Sequence, residues 1–248
     1  MKIPEQNNLT KYLVPVSGIL GLLLRFALYE TGIDGRGLLE AGHWANTALW
    51  ALTILTGIGI FLMTRKIDTP AALDAAYPAS YLRSAGAFAA MAGIAITTVT
   101  EFAEFSSRLH LIVWVLGLCS AVAMGITAVC RLRGKRTHCL LLAVVSLYFA
   151  LRMVARYQVW SSDPQLQDYC FYLCAHAALM LSAYQHAAFD ADTGNHRALW
   201  FFSLGSVYLC LVSLPRSMDP ALLLGCVIWA FTNLTDLSVP SAAQAPKE

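Results

Sequence analysis

A chain of 248 residues with 58% hydrophobic and 13% charged side chains lacks the polar residues to cover a water-exposed surface, since ordinary soluble domains carry about 25% charge. Its mean hydropathy of +0.59 points the same way. The net charge of +2 offers no basic field, so nucleic acid is excluded as a partner.

A helix needs about 20 residues, rising 1.5 Å each, to cross the hydrocarbon core of a bilayer. Eight segments meet or approach that length: Leu9–Tyr29, Trp44–Thr64, Leu82–Phe105, Leu109–Cys130, Thr137–Tyr157, Asp168–Phe189, Arg197–Leu214 and Ala221–Leu237. The first reads as a membrane anchor and not a cleavable signal peptide, because Pro15 and Arg25 interrupt its apolar run and no clear small-residue cleavage site follows. Thr31–Gly37 has the glycines of a tight outside turn. Thr69 as N-cap, Pro70 at the first helical position and Pro78 as terminator predict a turn or two of surface helix between spans two and three. The last two spans are short, and Pro215 and Pro220, with Arg216 and Asp219 between them, place a turn at the membrane surface.

Orientation follows from the connection Arg131-Leu-Arg-Gly-Lys-Arg136, whose four cations and lack of acid hold it in the cytoplasm. Eleven of the 17 basic residues then lie inside, with both termini. The expected fold class is all-α, a polytopic transmembrane helix bundle of about eight spans. Residues 1–239 form one transmembrane domain, and 240–248 a short disordered cytoplasmic tail. The expected location is a membrane of the bacterial cytoplasmic type, with the lipid bilayer as the main partner. Ser17 with Gly21, and Ala85 with Ala89 and Gly93, are spaced to let helices approach closely. Arginine near the outer ends of spans one and five is compatible with a four-plus-four duplication.

The seven cysteines form no C-x-x-C pair and read as small apolar residues within helices. Charge within a bilayer is costly, so ionisable residues inside the spans are the sharpest pointers to function. They gather in the outer third. Arg25 has Tyr29 four residues on. Glu101 and Glu104 stand above Thr97 and Thr100. Arg152 and Arg156 stand above Tyr148, and Tyr169, Tyr172 and His176 share one face of span six. Converging in a bundle, they line an outward-opening cavity. An excess of arginine there favours an anionic small molecule or lipid, since the guanidinium fork matches carboxylate and phosphate. The competing expectation is that Arg25, Arg152 and Glu101 are structural ion pairs that lock the helices, with the tyrosines part of an aromatic belt containing Trp44, Trp114 and Trp160.

His43, His110 and His176 with Glu101 or Glu104 are the one set with metal-ligand chemistry. His176 and His186, ten residues apart, point in different directions and do not suit haem. No metal or cofactor is expected. Nucleotide-binding, G-x-S-x-G and H-E-x-x-H motifs are all missing. Glu101-Phe-Ala-Glu-Phe-Ser-Ser-Arg108 faintly resembles the glutamate–arginine motif of CAAX-type intramembrane proteases, and Tyr172-Leu-Cys-Ala-His176 their aromatic-x-x-x-histidine motif. Ala103 breaks the adjacent glutamate pair, and a third histidine motif at suitable spacing is missing.

The favoured reading is therefore binding or transport of a small anionic or amphipathic ligand by Arg25, Tyr29, Glu101, Glu104, Tyr148, Arg152, Arg156, Tyr172 and His176, in preference to catalysis. In a coupled transporter Glu101 or His176 would accept a proton. One alternative is a membrane subunit that acts through a protein partner, with Arg131–Arg136 as docking surface. The other is an intramembrane hydrolase with Glu104 as base and His176 as its partner.

Overall fold

The computed structural model describes residues 4–33, 42–65, 80–104, 108–161 and 166–235. The surface helix expected between Thr69 and Pro78, most of the first outside turn and the C-terminal tail lie outside the described residues. The described chain is all-α: α1 (Pro4–Thr31), α2 (Trp44–Thr64), α3 (Tyr81–Thr100), α4 (Arg108–Leu132), α5 (Cys139–Trp160), α6 (Leu166–Asp190), α7 (His196–Ser213) and α8 (Pro220–Thr235). A 3-10 turn, Glu101–Glu104, continues α3. Arg108, between the expected third and fourth spans, opens α4.

Local chemistry sets several boundaries. Ser80 accepts a hydrogen bond from Arg83 N and starts α3, and Asn195 accepts from Arg197 N and Ala198 N and starts α7. Pro220 takes the first position of α8, where its missing N–H costs nothing, and the Asp219 carbonyl accepts from Leu223 N at 3.2 Å. Pro15 lies within α1 without ending it.

Five helices, α1 to α5, are long and apolar enough to cross a membrane. α8 is apolar but has 16 residues. α6 and α7 carry more polar side chains, and those polar groups turn inward: His176, Ser182 and His186 on α6 and Ser203 and Ser206 on α7 are all buried. The outward faces are the reverse of a soluble protein, with Leu55 68% and Val122 63% exposed.

Consecutive helices from α3 to α8 pack side by side, and α8 closes the ring on α3; α1 lies against α7, and α2 against α1 and α7. This six-plus-two arrangement does not match a four-plus-four duplication. α3 and α8 cross almost backbone to backbone. A Cβ added at Gly93 would lie 2.5 Å from Ala221 O, and one at Gly225 would lie 2.5 Å from Ala89 O. Ala85 is exposed and off this face, so the small-residue seam of α3 runs through Gly86, Ala89, Ala90 and Gly93.

At the end of the bundle where α4 and α6 finish, the basic connection folds back onto α6. Arg131 donates to both oxygens of Asp190 at 2.8 and 3.0 Å, Thr137 donates to Asp190 at 2.6 Å, and Arg136 pairs with Asp192 at 2.9 Å.

Candidate functional site: an ion-pair knot beside a cationic aromatic cavity

At the opposite end, α5 supplies two arginines one helical turn apart. Arg152 binds Glu101 through both terminal nitrogens, Nη1 to Oε2 at 2.8 Å and Nη2 to Oε1 at 2.7 Å. Its Nη2 also lies 2.7 Å from Asp219 Oδ2, and its Nη1 donates to the Tyr148 hydroxyl at 3.1 Å. Arg156 donates to Glu101 Oε1 and lies 3.4 Å from Asp219 Oδ1. Tyr172 donates its hydroxyl proton to Asp219 Oδ2. Two guanidiniums thus face two carboxylates, and the knot is formally neutral. It joins the end of α3, the last third of α5, the start of α6 and the entry to α8.

Burial makes this arrangement costly to leave incomplete. The side chains of Arg152 and Asp219 are 2% and 3% exposed, while Glu101 retains 22%. Burial alone pushes the Asp219 carboxyl up, but Arg152 and Arg156 outweigh it and hold its pKa below the ordinary 3.8. The carboxylate is therefore ionised at neutral pH.

His176 lies one turn below Tyr172. Its Nδ1 is 3.0 Å from the Tyr172 carbonyl, which can only accept, so Nδ1 carries a proton there. Nε2 is buried without a hydrogen-bond partner among the described residues. Its ring stacks at a tilt on Tyr172, with centroids 4.2 Å apart, and meets Phe149 edge-on.

Arg25 and Tyr29 belong to a second group. Arg25 donates from Nε and Nη2 to the Tyr29 hydroxyl at 3.2 and 3.1 Å, and its guanidinium lies 5.0 Å from the Phe171 ring centre. Arg216, in the turn between α7 and α8, lies over the other side of this assembly, 4.7 Å from the Tyr29 ring centre. It holds φ +54°, a left-handed backbone unusual for a residue with a side chain. Between them is a cavity of about 180 Å³. Its walls are Arg25 and Tyr29 from α1, Trp160 from α5, Tyr169 and Tyr172 from α6, and the stretch Pro215–Met218. Trp160 and Tyr169 stack with ring centres 4.2 Å apart, fixing one wall. Among the described residues, two arginines and no acid line it.

The nine residues singled out by sequence thus divide. Glu101, Tyr148, Arg152, Arg156 and Tyr172 meet in the knot, and His176 lies beneath it. Arg25 and Tyr29 line the cavity, and Tyr172 faces both. The backbone of Glu104 closes the 3-10 turn, but its side chain lies outside the described residues, so the Glu104–His176 pairing does too. His43 caps α2 by accepting from Ala45 N at 3.3 Å, far along the chain from His176. Among the described residues no group of three His, Cys, Asp or Glu side chains is placed to hold a metal ion. Asp219 and Arg216 were read only as markers of a turn. Each brings a charge to a buried or aromatic setting, and their position between two prolines was the sole signal.

No family model matches the sequence, and neither the curated proteins nor the solved structures yield a match.

Proposed function

We propose that this chain is an eight-span membrane protein of the bacterial cytoplasmic type that binds a small anionic or amphipathic ligand in the cavity between Arg25 and Arg216. The observation that carries this reading is the cavity's lining, two guanidiniums and four aromatic rings. Guanidiniums bind phosphate or carboxylate through paired, charge-assisted hydrogen bonds, and the rings supply apolar walls. In the proposed orientation the 131–136 connection is cytoplasmic and the cavity opens on the outer side.

Within this reading the knot is the scaffold of the site. Arg152 and Arg156 are engaged by Glu101 and Asp219 and hold the Tyr172 wall and the 215–219 turn in place, and the guanidiniums of Arg25, itself held by Tyr29, and of Arg216 face the ligand. The reading stops at binding, because Glu101 is held by both guanidiniums and nothing about it favours proton-coupled transport. Of the four cations in the docking alternative, Arg131 and Arg136 are engaged by Asp190 and Asp192.

Native mass spectrometry of the detergent-purified protein tests the proposal. The parent should retain an anionic molecule that Arg216→Gln and Arg25→Gln each lose. Arg216 is exposed, so its variant tests the ligand without disturbing the core. A parent spectrum with no bound anion would overturn the reading.

A further inference from the structure

Below the cationic cavity, a second space of about 260 Å³ lies between α2, α6 and α7. It is open along one side, and its surface is almost wholly apolar. The hydroxyls of Thr53 and Tyr208 in its wall already have partners: Thr53 donates to Leu49 O at 2.7 Å and meets the Tyr208 hydroxyl at 2.9 Å. Such a space has no polar partners for water, and left empty it forfeits contacts on every wall.

Two glycines make this groove. Gly57 on α2 and Gly205 on α7 both line it, and a Cβ at either would meet nothing within 4 Å. Gly93 and Gly225 have the opposite setting, with a neighbouring backbone pressed against them. A glycine inside a helix is unfavourable unless something must approach closely. At Gly57 and Gly205 nothing in the described chain does so, and the space they leave faces the side where lipid would lie.

The groove and the cavity share a column of side chains. The Arg25 guanidinium lies over Phe171, and Phe171 packs on Trp50 with ring centres 5.0 Å apart. Seven residues on from Phe171, on the same face of α6, Ala178 lines the groove; the rise is about 10 Å. On α2, Thr53 and Gly57 follow Trp50 in the same direction. A charged site thus stands roughly two turns above an apolar trough along the same helices, which matches the plan of an anionic lipid.

We infer that the ligand is an anionic phospholipid, with its phosphate at Arg25 and Arg216 and one acyl chain laid into the groove at Gly57 and Gly205. This rests on the ligand reading of the cavity above and adds the chain to it. Bulk lipid is as apolar as the groove, so the trough gives fit and residence while the arginines select the charge.

The test uses the full chain reconstituted in phosphatidylcholine vesicles with a trace of phosphatidylglycerol bearing a diazirine within one acyl chain. Illumination should label the parent within residues 53–60 or 201–209. Gly57→Leu and Gly205→Leu should each cut that label about tenfold, because a Cβ at either position has open space and the rest of the leucine side chain enters the trough. Arg216→Gln should cut it comparably, since tenfold corresponds to losing one good charge-assisted contact. The same diazirine on phosphatidylcholine should give background labelling only. Thermal melts of the two leucine variants, expected to match the parent, separate a filled groove from a damaged fold. If the leucines leave the label unchanged while Arg216→Gln still releases an anion, the chain site is overturned and the headgroup cavity stands. If inorganic phosphate at millimolar concentration is retained equally well by parent and leucine variants and excludes the lipid probe, the cavity takes a free anion and the lipid inference fails. Labelling that ignores Arg216→Gln, or none in the groove, overturns the inference of an anionic lipid.

Discussion

Arg152 and Asp219 form the most deeply buried charge pair of the knot, and their energetics turn on pairing. Replacing Arg152 with methionine leaves the Asp219 and Glu101 carboxylates opposite Arg156 alone, a net buried charge of about −1. Such losses cost about 3–5 kcal/mol. Asp219→Asn leaves the opposite excess. The double variant Arg152→Met/Asp219→Asn restores neutrality, because Glu101 still faces Arg156. It should therefore cost less than the two single losses together by about 1 kcal/mol or more, which a double-mutant cycle of denaturation in detergent measures. The pH dependence has a definite sign. The Asp219 pKa is lower in the folded state than the ordinary 3.8, so between those two values the unfolded chain binds more protons and stability rises with pH. Its contribution is full above the unfolded value and lost as pH falls through the folded one. Melting temperatures should show no Asp219-dependent loss from pH 7 down to about 4.5, and the parent should lose more of its margin over Asp219→Asn only below about 3.8. The α5 half of this knot was legible from spacing, since Arg152 and Arg156 must share a face and Tyr148 must lie one turn below. The Asp219 half was not. It stands 63 residues from Arg156, in a loop whose prolines explained it fully as a turn, and no local pattern records which distant loop folds over a helix.

The helix as a unit explains why two kinds of glycine should respond oppositely to the same substitution. At Gly93 and Gly225 an added Cβ meets a backbone carbonyl at 2.5 Å, and backbone cannot swing aside as a side-chain tip can. Gly93→Ala and Gly225→Ala should each destabilise the protein by about 1–3 kcal/mol, as overpacking does. At Gly57 and Gly205 the new methyl enters open space, and alanine stiffens the helix. Those substitutions should be neutral or stabilising by about 0.5–1 kcal/mol, and thermal melts of the four variants in one detergent would order them. Failure of this ordering would mean that α3 and α8 are not in backbone contact. Helices themselves were largely readable: the second span has the bounds expected of it, Trp44–Thr64, because apolar content alone defines it. The contact face was less so. Residues four apart, Ala85 and Ala89, looked like one seam, but at 3.6 residues per turn the seam drifts to Gly86, Ala89, Ala90 and Gly93. Small size marks a residue able to make close contact, and only the partner helix decides which one does.

For the whole molecule the open question is how many helices cross, and one contact constrains the answer. Arg131, at the end of α4, holds Asp190, at the end of α6, at 2.8 Å, so both connections lie at the same end of the bundle. If α5 crosses the membrane, α6 must return across it, although it is not among the five helices long and apolar enough by composition to do so. Its polar side chains are no obstacle, because His176, Ser182 and His186 face the interior of the ring and not lipid. Which helices close that ring was hidden in the sequence, because the α3–α8 seam joins segments more than a hundred residues apart and local periodicity carries no address. Single cysteines at Lys135, Ser161 and Thr193, all exposed, would test the crossing on intact cells with a membrane-impermeant maleimide, read against the seven native thiols. Ser161→Cys should label directly, whereas Lys135→Cys and Thr193→Cys should label only after permeabilisation, as the four cations of the 131–136 connection require. If Thr193 labels together with Ser161, α6 does not span and the eight-span bundle falls. If Lys135 and Thr193 label while Ser161 is protected, the span count holds but the orientation inverts, and the arginine cavity faces the cytoplasm.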